Sequence, residues 1–531
     1  MEAVYERLVL LYDEVTESTL GKQVRTSGSK YAGGIMDDSL IPRPNHGGTP
    51  SVMACWACAL VNPASKYYRD AAVLSALELA ADFMLNRQHA DGTISLGSTN
   101  FNSPPDTAFV VGGVTQIYKL LSSQDWPDVR PAAEKLRLFL ERTIPAMLTG
   151  GCHTPNHRWV LTAALSLLYE IFGLPELLEA VRRNLRMMVY LVHPSGEIVT
   201  DYSGRQDFGH TYSMATYFLA YRLMAALDRD PLFAAMADYA GSFIQGTEAV
   251  NNNALLQLMV YPQQTDLSGL ERASLPDRYV KAINREHPME EHLDRIDSIG
   301  HHMKIEHSSM HLAFGAPVVR IREQDTSVTL MTRTPSFFSM RHGAVRLLGV
   351  KLSSAFSPGV VKFDSLVLED GVYKLGITME KGYTGPIPRQ LLPEREGQAS
   401  GSPWYLLAHQ HRPVTHLQTH RLTAELTPGE SEWSIKISSD EREDVATQLT
   451  FILGVEGTLS GEGVNQAEHS RYFLKSGKAR YEAGGEAIEI SSGAWEHGVP
   501  TLRNDDHPAG CRYVHVNLIT PFERTFTVRL L

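Results

Sequence analysis

Residues 153–159 read His-Thr-Pro-Asn-His-Arg-Trp, and an apolar run with helical spacing follows: Val160, Ala164, Leu167, Leu168 and Ile171, with Gly173 placed to end it. Thr154 fits an N-cap and Pro155 the first helical position, which puts Asn156, His157 and Arg158 in the first turn. Backbone N–H groups there have no partner inside the helix, and the helix dipole is positive, so the position attracts anions. An amide, an imidazole and a guanidinium at such an end suit a carboxylate, with His153 just ahead of them.

Two further segments carry side chains of the same kinds. Residues 98–109, STNFNSPPDTAF, hold Asn100, Asn102 and Asp106; residues 201–213, DYSGRQDFGHTYS, hold Asp201, Tyr202, Arg205, Asp207, His210 and Tyr212. Taken singly, each has an ordinary structural use, since Asp and Asn cap helices and Arg pairs with Asp. Taken together they fit two chemistries. In β-elimination from a uronic acid, the C5 proton is acidic only when the neighbouring carboxylate is neutralised, and a Tyr or His must remove it. Asn156 and His157, assisted by Arg205, meet the first need; Tyr212 with His210 meets the second. Glycoside hydrolysis needs two carboxylates instead, for which Asp106, Asp201 and Asp207 are the candidates.

The chain that positions these groups has 531 residues, 43% of them hydrophobic and 21% charged, which is enough apolar material for two or three domains. A formal charge of −11 argues against a nucleic-acid partner. The longest apolar run, VMACWACALV, is far short of the ~20 residues that span a bilayer, and the acidic amphipathic N-terminus lacks a basic signal-like region. Cys55 and Cys58 sit inside that apolar run without a second pair, which reads as core packing; a cytoplasmic protein is expected.

Character changes near residue 290. Segments 69–87, 106–121, 127–147, 155–172, 176–192, 211–228 and 230–246 have helical periodicity; later runs such as SVTLMTRT, EWSIKISS and RYVHVNLIT alternate and are rich in β-branched residues. Helices first and strands second predict two segregated domains, 1–288 and 289–531. Residues 89–98, HADGTISLGS, are echoed by 193–203, HPSGEIVTDYS, each after one long helix and before another. Repeated helical hairpins with equivalent loops suggest an (α/α) toroid whose loops gather on one face.

An N-terminal (α/α) toroid, as an incomplete barrel, followed by an antiparallel β-sandwich resembles the polysaccharide lyases of the heparinase II/III-like and oligoalginate lyase groups, and is similar to toroidal glucuronidases. The resemblance implies an Asn or His that neutralises the carboxylate, here Asn156 and His157, and a Tyr from a later helix, here Tyr212. It also implies a further His from the sandwich, for which FFSMRHG offers His342. Arg205, Arg158, Asn102, His153 and Tyr202 are the expected substrate-binding residues. The expectation is a lyase on uronic-acid oligosaccharides; the alternatives are a glucuronidase-type hydrolase and a non-catalytic carbohydrate-binding protein. No cofactor, nucleic acid or membrane is expected, and a homodimer stays open. His302, His307 and His311 read as surface or domain-interface histidines, with a structural divalent metal as the other use of such a group.

Overall fold

A computed structural model describes residues 2–97, 101–149, 175–201, 211–246, 253–262, 267–285, 316–392, 407, 409–505, 507 and 510–531. The chain forms two compact units, Met1–Val189 with Ser213–Leu275 and Tyr190–Tyr212 with Pro276–Leu531. The division differs from 1–288 and 289–531 in two ways. It falls earlier, because the edge strand Arg278–Ile283 already pairs with Val318–Glu323. It also gives the strand unit a segment from the middle of the helical half, for a reason of charge described below.

Among the described residues, the helices of the first unit are α1 (Glu2–Leu20), α2 (Thr49–Val61), α3 (Ala71–Arg87), α4 (Pro104–Ser122) and α5 (Arg130–Thr149), then α6 (Pro175–Met188), α7 (Phe218–Asp228), α8 (Pro231–Ser242) and α9 (Ala254–Val260). Their starts follow local capping chemistry. Asp70 accepts from the Ala72 and Val73 amides, and Asp230 from Leu232 ahead of Pro231. Helix α2 is the centre: Met53, Trp56 and Leu60 are fully buried, as are Cys55 and Cys58, so the two thiols pack as core. Helices pair along the chain as α1 with α2, α4 with α5 and α7 with α8, and α9 returns to α1, α2 and α4. The return is fixed by Tyr12, whose hydroxyl donates to Asn253 Oδ1 at 2.7 Å and accepts the Leu255 amide. These helical hairpins are those of the (α/α) toroid. Two expected helices start or end differently. The 176–192 helix stops at Met188, and Val192 bridges to Ile198 instead. The 211–228 helix opens as a 3-10 turn at Met214, capped by the Ser213 hydroxyl. The segment 155–172 lies outside the described residues.

The second unit is an antiparallel sandwich. Its strands are β1 (Arg278–Ile283), β2 (Val318–Glu323), β3 (Thr326–Met331), β4 (Phe338–His342), β5 (Val345–Ser354) and β6 (Gly359–Val361). Next come β7 (Ser365–Glu369), β8 (Val372–Thr384), β9 (Val414–Pro428), β10 (Glu432–Ser439), β11 (Ala446–Gly454) and β12 (Thr458–Ser460). The last are β13 (Val464–Glu468), β14 (Arg471–Leu474), β15 (Lys478–Ala483), β16 (Glu486–Ser491), β17 (Cys511–Ile519) and β18 (Glu523–Leu530). One sheet has the order β1-β2-β3-β4-β5-β11-β17-β14-β13, with β6 on β5; the other is β12-β15-β16-β18-β10-β9-β8-β7. Both contribute to one core, with Val328, Phe338, Leu352, Phe451 and Val516 from the first meeting Leu422, Ile435, Ile488 and Phe526 from the second.

Strand alternation gives the first sheet a second, polar face. Arg320, Ser327, Thr329, Ser339 and Arg341 occupy it on β2–β4, and Lys351, Ser353, Gln448, Thr450, His515 and Asn517 on β5, β11 and β17; all are buried. Two coverings bury it. At β5 and β17 the cover is the stretch before β17, where Asp505 pairs with Lys351 and accepts Ser353 Oγ at 2.8 Å, while Asn517 donates to the carbonyls of His497 and Val499. At β2–β4 the cover is residues 190–201.

The sequence echo is also a structural one. His89 N–H donates to Thr93 O and Gly92 N–H to His89 O; His193 N–H donates to Glu197 O and Gly196 N–H to His193 O. Gly92 and Gly196 have φ of 83° and 80°, the left-handed conformation that glycine adopts without penalty. A Cβ on Gly92 would lie 1.8 Å from the Arg142 carbonyl oxygen, whereas one on Gly97, with φ of 87°, meets nothing within 4 Å among the described residues. Gly92→Ala should therefore destabilise the helical unit by about 2–4 kcal/mol and Gly97→Ala by about 1 kcal/mol. Urea unfolding followed by far-ultraviolet circular dichroism tests the difference; equal midpoints for the two variants would contradict it.

Candidate functional site

The hairpin 190–201 sits on the polar face of β2–β4 through backbone and charge. Arg320 Nε donates to Tyr190 O at 3.0 Å, its Nη2 to Val192 O at 3.4 Å, and its Nη1 to Thr329 Oγ1 at 2.5 Å. Arg341 donates to both Glu197 carboxylate oxygens at 3.3 Å and to Asp201 Oδ1 at 3.0 Å. Asp201 Oδ2 accepts Ser339 Oγ at 2.5 Å and Thr329 Oγ1 at 3.2 Å, with His193 Nε2 3.5 Å away. The other His193 ring nitrogen meets Ser327 Oγ at 2.8 Å. Arg346, on the rim, also reaches Glu197 at 3.3 Å.

Burial determines how these groups titrate. For Asp201 burial works to raise the pKa, but Arg341, His193 and the Ser339 hydroxyl hold it well below the carboxylate range. Glu197 is likewise lowered against the pull of burial, by Arg341, His193 and Arg346. His193 is pushed down to about 4, by burial first and the Arg341 charge second. A neutral His193 leaves the deeply buried part balanced, with Arg320 and Arg341 facing Glu197 and Asp201. Unpaired, either charge would cost several kcal/mol.

The network fixes both ends of the stretch 202–210. Asp201 closes one end; at the other, Ile198 N–H donates to Tyr212 O at 2.7 Å. Tyr202, Arg205, Asp207 and His210 fall between these ends and lie outside the described residues, as do Asn156, His157, Arg158, His153, His302, His307 and His311. Tyr212 is 45% exposed at the anchored end, with Ser213 after it starting a helical turn.

The remaining expected residues are described. Asp106 is buried; Ser103 Oγ–H donates to its Oδ2 at 2.5 Å and accepts its amide, a reciprocal cap at the start of α4. Asn102, with φ of 44°, donates to Asp91 Oδ2 at 3.2 Å. Asp91 also accepts Thr93 N–H and Oγ–H, bonds that hold its carboxyl at about 2. His342 ends β4 on the face opposite to Arg341, its Nδ1 2.8 Å from Thr326 Oγ1. Among the described residues, no group of three or more His, Cys, Asp or Glu side chains is arranged to hold a metal ion, and no helix is long and apolar enough to cross a membrane. Sequence reasoning missed the partners of Asp201, because Arg320 and Arg341 lie far along the chain inside strand-like runs. The signal was there: a charged residue in the alternating run FFSMRHG must be answered by an opposite charge if it is buried.

No protein-family model matches the chain, and no curated protein matches it. Among solved structures, the heparan sulfate lyase HepC of Pedobacter heparinus is similar at 9% identity with a TM-score of 0.31, over 98% of this chain and 83% of that one. The chondroitin AC lyase of Streptomyces coelicolor A3, in complex with chondroitin sulphate, is similar at 10% identity with a TM-score of 0.40, over 99% and 79%.

The network predicts an acid-labile strand unit. An unfolded histidine titrates near 6.5 and His193 at about 4, so the unfolded chain binds the extra proton first as pH falls between them. Stability should be flat above pH 6.5 and fall by about 3 kcal/mol towards pH 4, then further as Asp201 and Glu197 protonate. His193→Gln should abolish the upper limb only; an unchanged limb in urea titrations from pH 8 to 4 would refute the assignment. Arg341→Met should cost about 3–5 kcal/mol, part of it recovered when Glu197→Gln and Asp201→Asn are added.

Proposed function

We propose that the chain is a lyase that cleaves a uronic-acid-containing glycan or oligosaccharide by β-elimination. The observation that carries this reading is the contrast between the phenol and the carboxylates. Tyr212 is held at the solvent-facing end of a charge-anchored hairpin. Asp106 and Asp201, two of the three carboxylates that hydrolysis would use, are buried and engaged in a helix cap and an ion pair. A carboxylate held far below its ordinary range by a guanidinium cannot donate a proton near neutrality.

In this reading Asn156 and His157 hold the substrate carboxylate with Arg205, which acidifies the neighbouring C–H. Tyr212 takes the C5 proton, and the electron pair moves to form the C4–C5 double bond. The glycosidic oxygen leaves with a proton returned by Tyr212 or by a histidine. His210 is preferred over His342, whose ring is engaged with Thr326. Arg158, Asn102, His153 and Tyr202 bind the rest of the sugar.

Elimination leaves an unsaturated uronate that absorbs in the ultraviolet; hydrolysis does not. Incubation with uronic-acid oligosaccharides should produce that absorbance in step with new reducing ends. Reducing ends without absorbance would establish a hydrolase, and binding without either a carbohydrate-binding protein. Tyr212→Phe should lower kcat by about 10²–10⁴ with KM and the unfolding midpoint unchanged; a rate near that of the parent would remove Tyr212 from the chemistry.

A further inference from the structure

One sheet of the strand unit ends in β1 and β13, the other in β12 and β7. An edge strand turns every second N–H and C=O away from its neighbour and is a template for another chain, so folds guard their edges with charge, polarity or brevity. Among the described residues, β1 carries Arg278 and Lys281, β13 carries Asn465, Gln466 and Glu468, and β12 is three residues long. Strand β7 has no such guard at its centre. Its sequence, Ser365-Leu366-Val367-Leu368-Glu369, sets apolar residues side by side, with Val367 48% and Leu368 56% exposed.

Strand β7 reaches β8 through the turn Asp370-Gly371, both residues with positive φ, so Glu369 and Val372 flank the turn as a hydrogen-bonded pair. Alternation makes Val367–Lys374 and Ser365–Gly376 the next bonded pairs. Leu366 and Leu368 therefore direct their backbone groups to the open side of the sheet. Their side chains share the core side: Leu366 packs against the core, and the residues opposite the two leucines, Leu375 and Tyr373, are buried in it. Val367 and Glu369 stand on the other side, where Glu369 pairs with Lys374 at 2.8 Å. Leu368 thus continues the core past the last strand, at the backbone position that a further strand would use.

We propose that two copies of the chain associate through β7, antiparallel about a two-fold axis at Val367, so that two sheets become one. Leu366 of each copy then exchanges both backbone hydrogen bonds with Leu368 of the other, and the leucines carry the apolar core across the junction. Val367 meets its own counterpart and Glu369 meets Ser365, so no like charges stand opposite each other within the strand pair. Asp364 and Asp370 approach just outside it, a repulsion that salt screens. A slip by one residue would set core-side leucines against residues of the outer side, which excludes the adjacent registers.

The test is sedimentation velocity of the full chain. From about 1 to 300 μM it should show monomer and dimer in exchange with a Kd of about 10–100 μM, since a single strand pair is a small interface, and the dimer should tighten as salt rises. Val367→Lys puts like charges on the axis and should raise Kd by at least about tenfold, as should Val367→Glu. The two variants mixed should form a heterodimer at least as tight as the parent dimer. Residues opposed in a non-hydrogen-bonded pair have Cα atoms about 4.5 Å apart, within disulfide range. Val367→Cys should therefore crosslink under mild oxidation well above the level of the parent chain. Ser365→Cys should not, because its two copies would stand about 13 Å apart along the strands. A chain that stays monomeric across the whole concentration range overturns the proposal. So does a dimer indifferent to Val367→Lys, or one that crosslinks as readily from Ser365→Cys as from Val367→Cys.

Discussion

A guanidinium shut away from water has to be answered by carboxylates, and Arg341 places that requirement at the centre of the strand unit. Its side chain projects from the polar face of a sheet whose other face builds the hydrophobic core. No strand neighbour supplies the acids. Glu197 and Asp201 do, from a hairpin that precedes β4 by more than a hundred residues, with neutral His193 and Arg320 completing the balance. Low dielectric surroundings make such a set all-or-none: complete, it is rigid, and with one member missing it is a liability. The position of Tyr212, and of the two ends between which 202–210 must run, follows from this ionic constraint.

The same sheet face repeats the solution at its other end, where Asp505 covers Lys351 and Ser353. A sandwich normally leaves its outer faces to water. Here one outer face is polar and dry, and each dry patch is closed by an irregular segment that brings a carboxylate. Such a surface places loops accurately, because the geometry of a buried ion pair tolerates less displacement than apolar contact does.

Much of the architecture was legible from periodicity. The runs SVTLMTRT, EWSIKISS and RYVHVNLIT are β3, β10 and β17, and the helical segments fall within a few residues of α3, α4, α5 and α8. The repeated His-x-x-Gly turn was legible too, because its glycine is demanded by a local backbone conformation. What could not be read is what depends on distant partners. Asp201 looks the same in sequence as a catalytic acid or as half of a buried ion pair, and only the location of Arg341 separates them. His342 drew notice as a histidine in a strand, whereas its neighbour Arg341, on the other face, is the residue that organises the hairpin. Helix ends read from 176–192 and 211–228 overran because residues 190–201 and Tyr212 pack with the strand unit.

That hairpin has a consequence for how the protein is made. Residues 190–201 leave the ribosome long before β2, β3 and β4, so Glu197 and Asp201 must wait in water while the strands that need them are synthesised. The buried arginines arrive with the first strands of the sheet, β2 and β4, and meet acids made more than a hundred residues earlier. Neither half can be excised at a single point without stripping the other of its counter-charges. Expression of residues 276–531 alone would present the cell with Arg320 and Arg341 on an uncovered polar face.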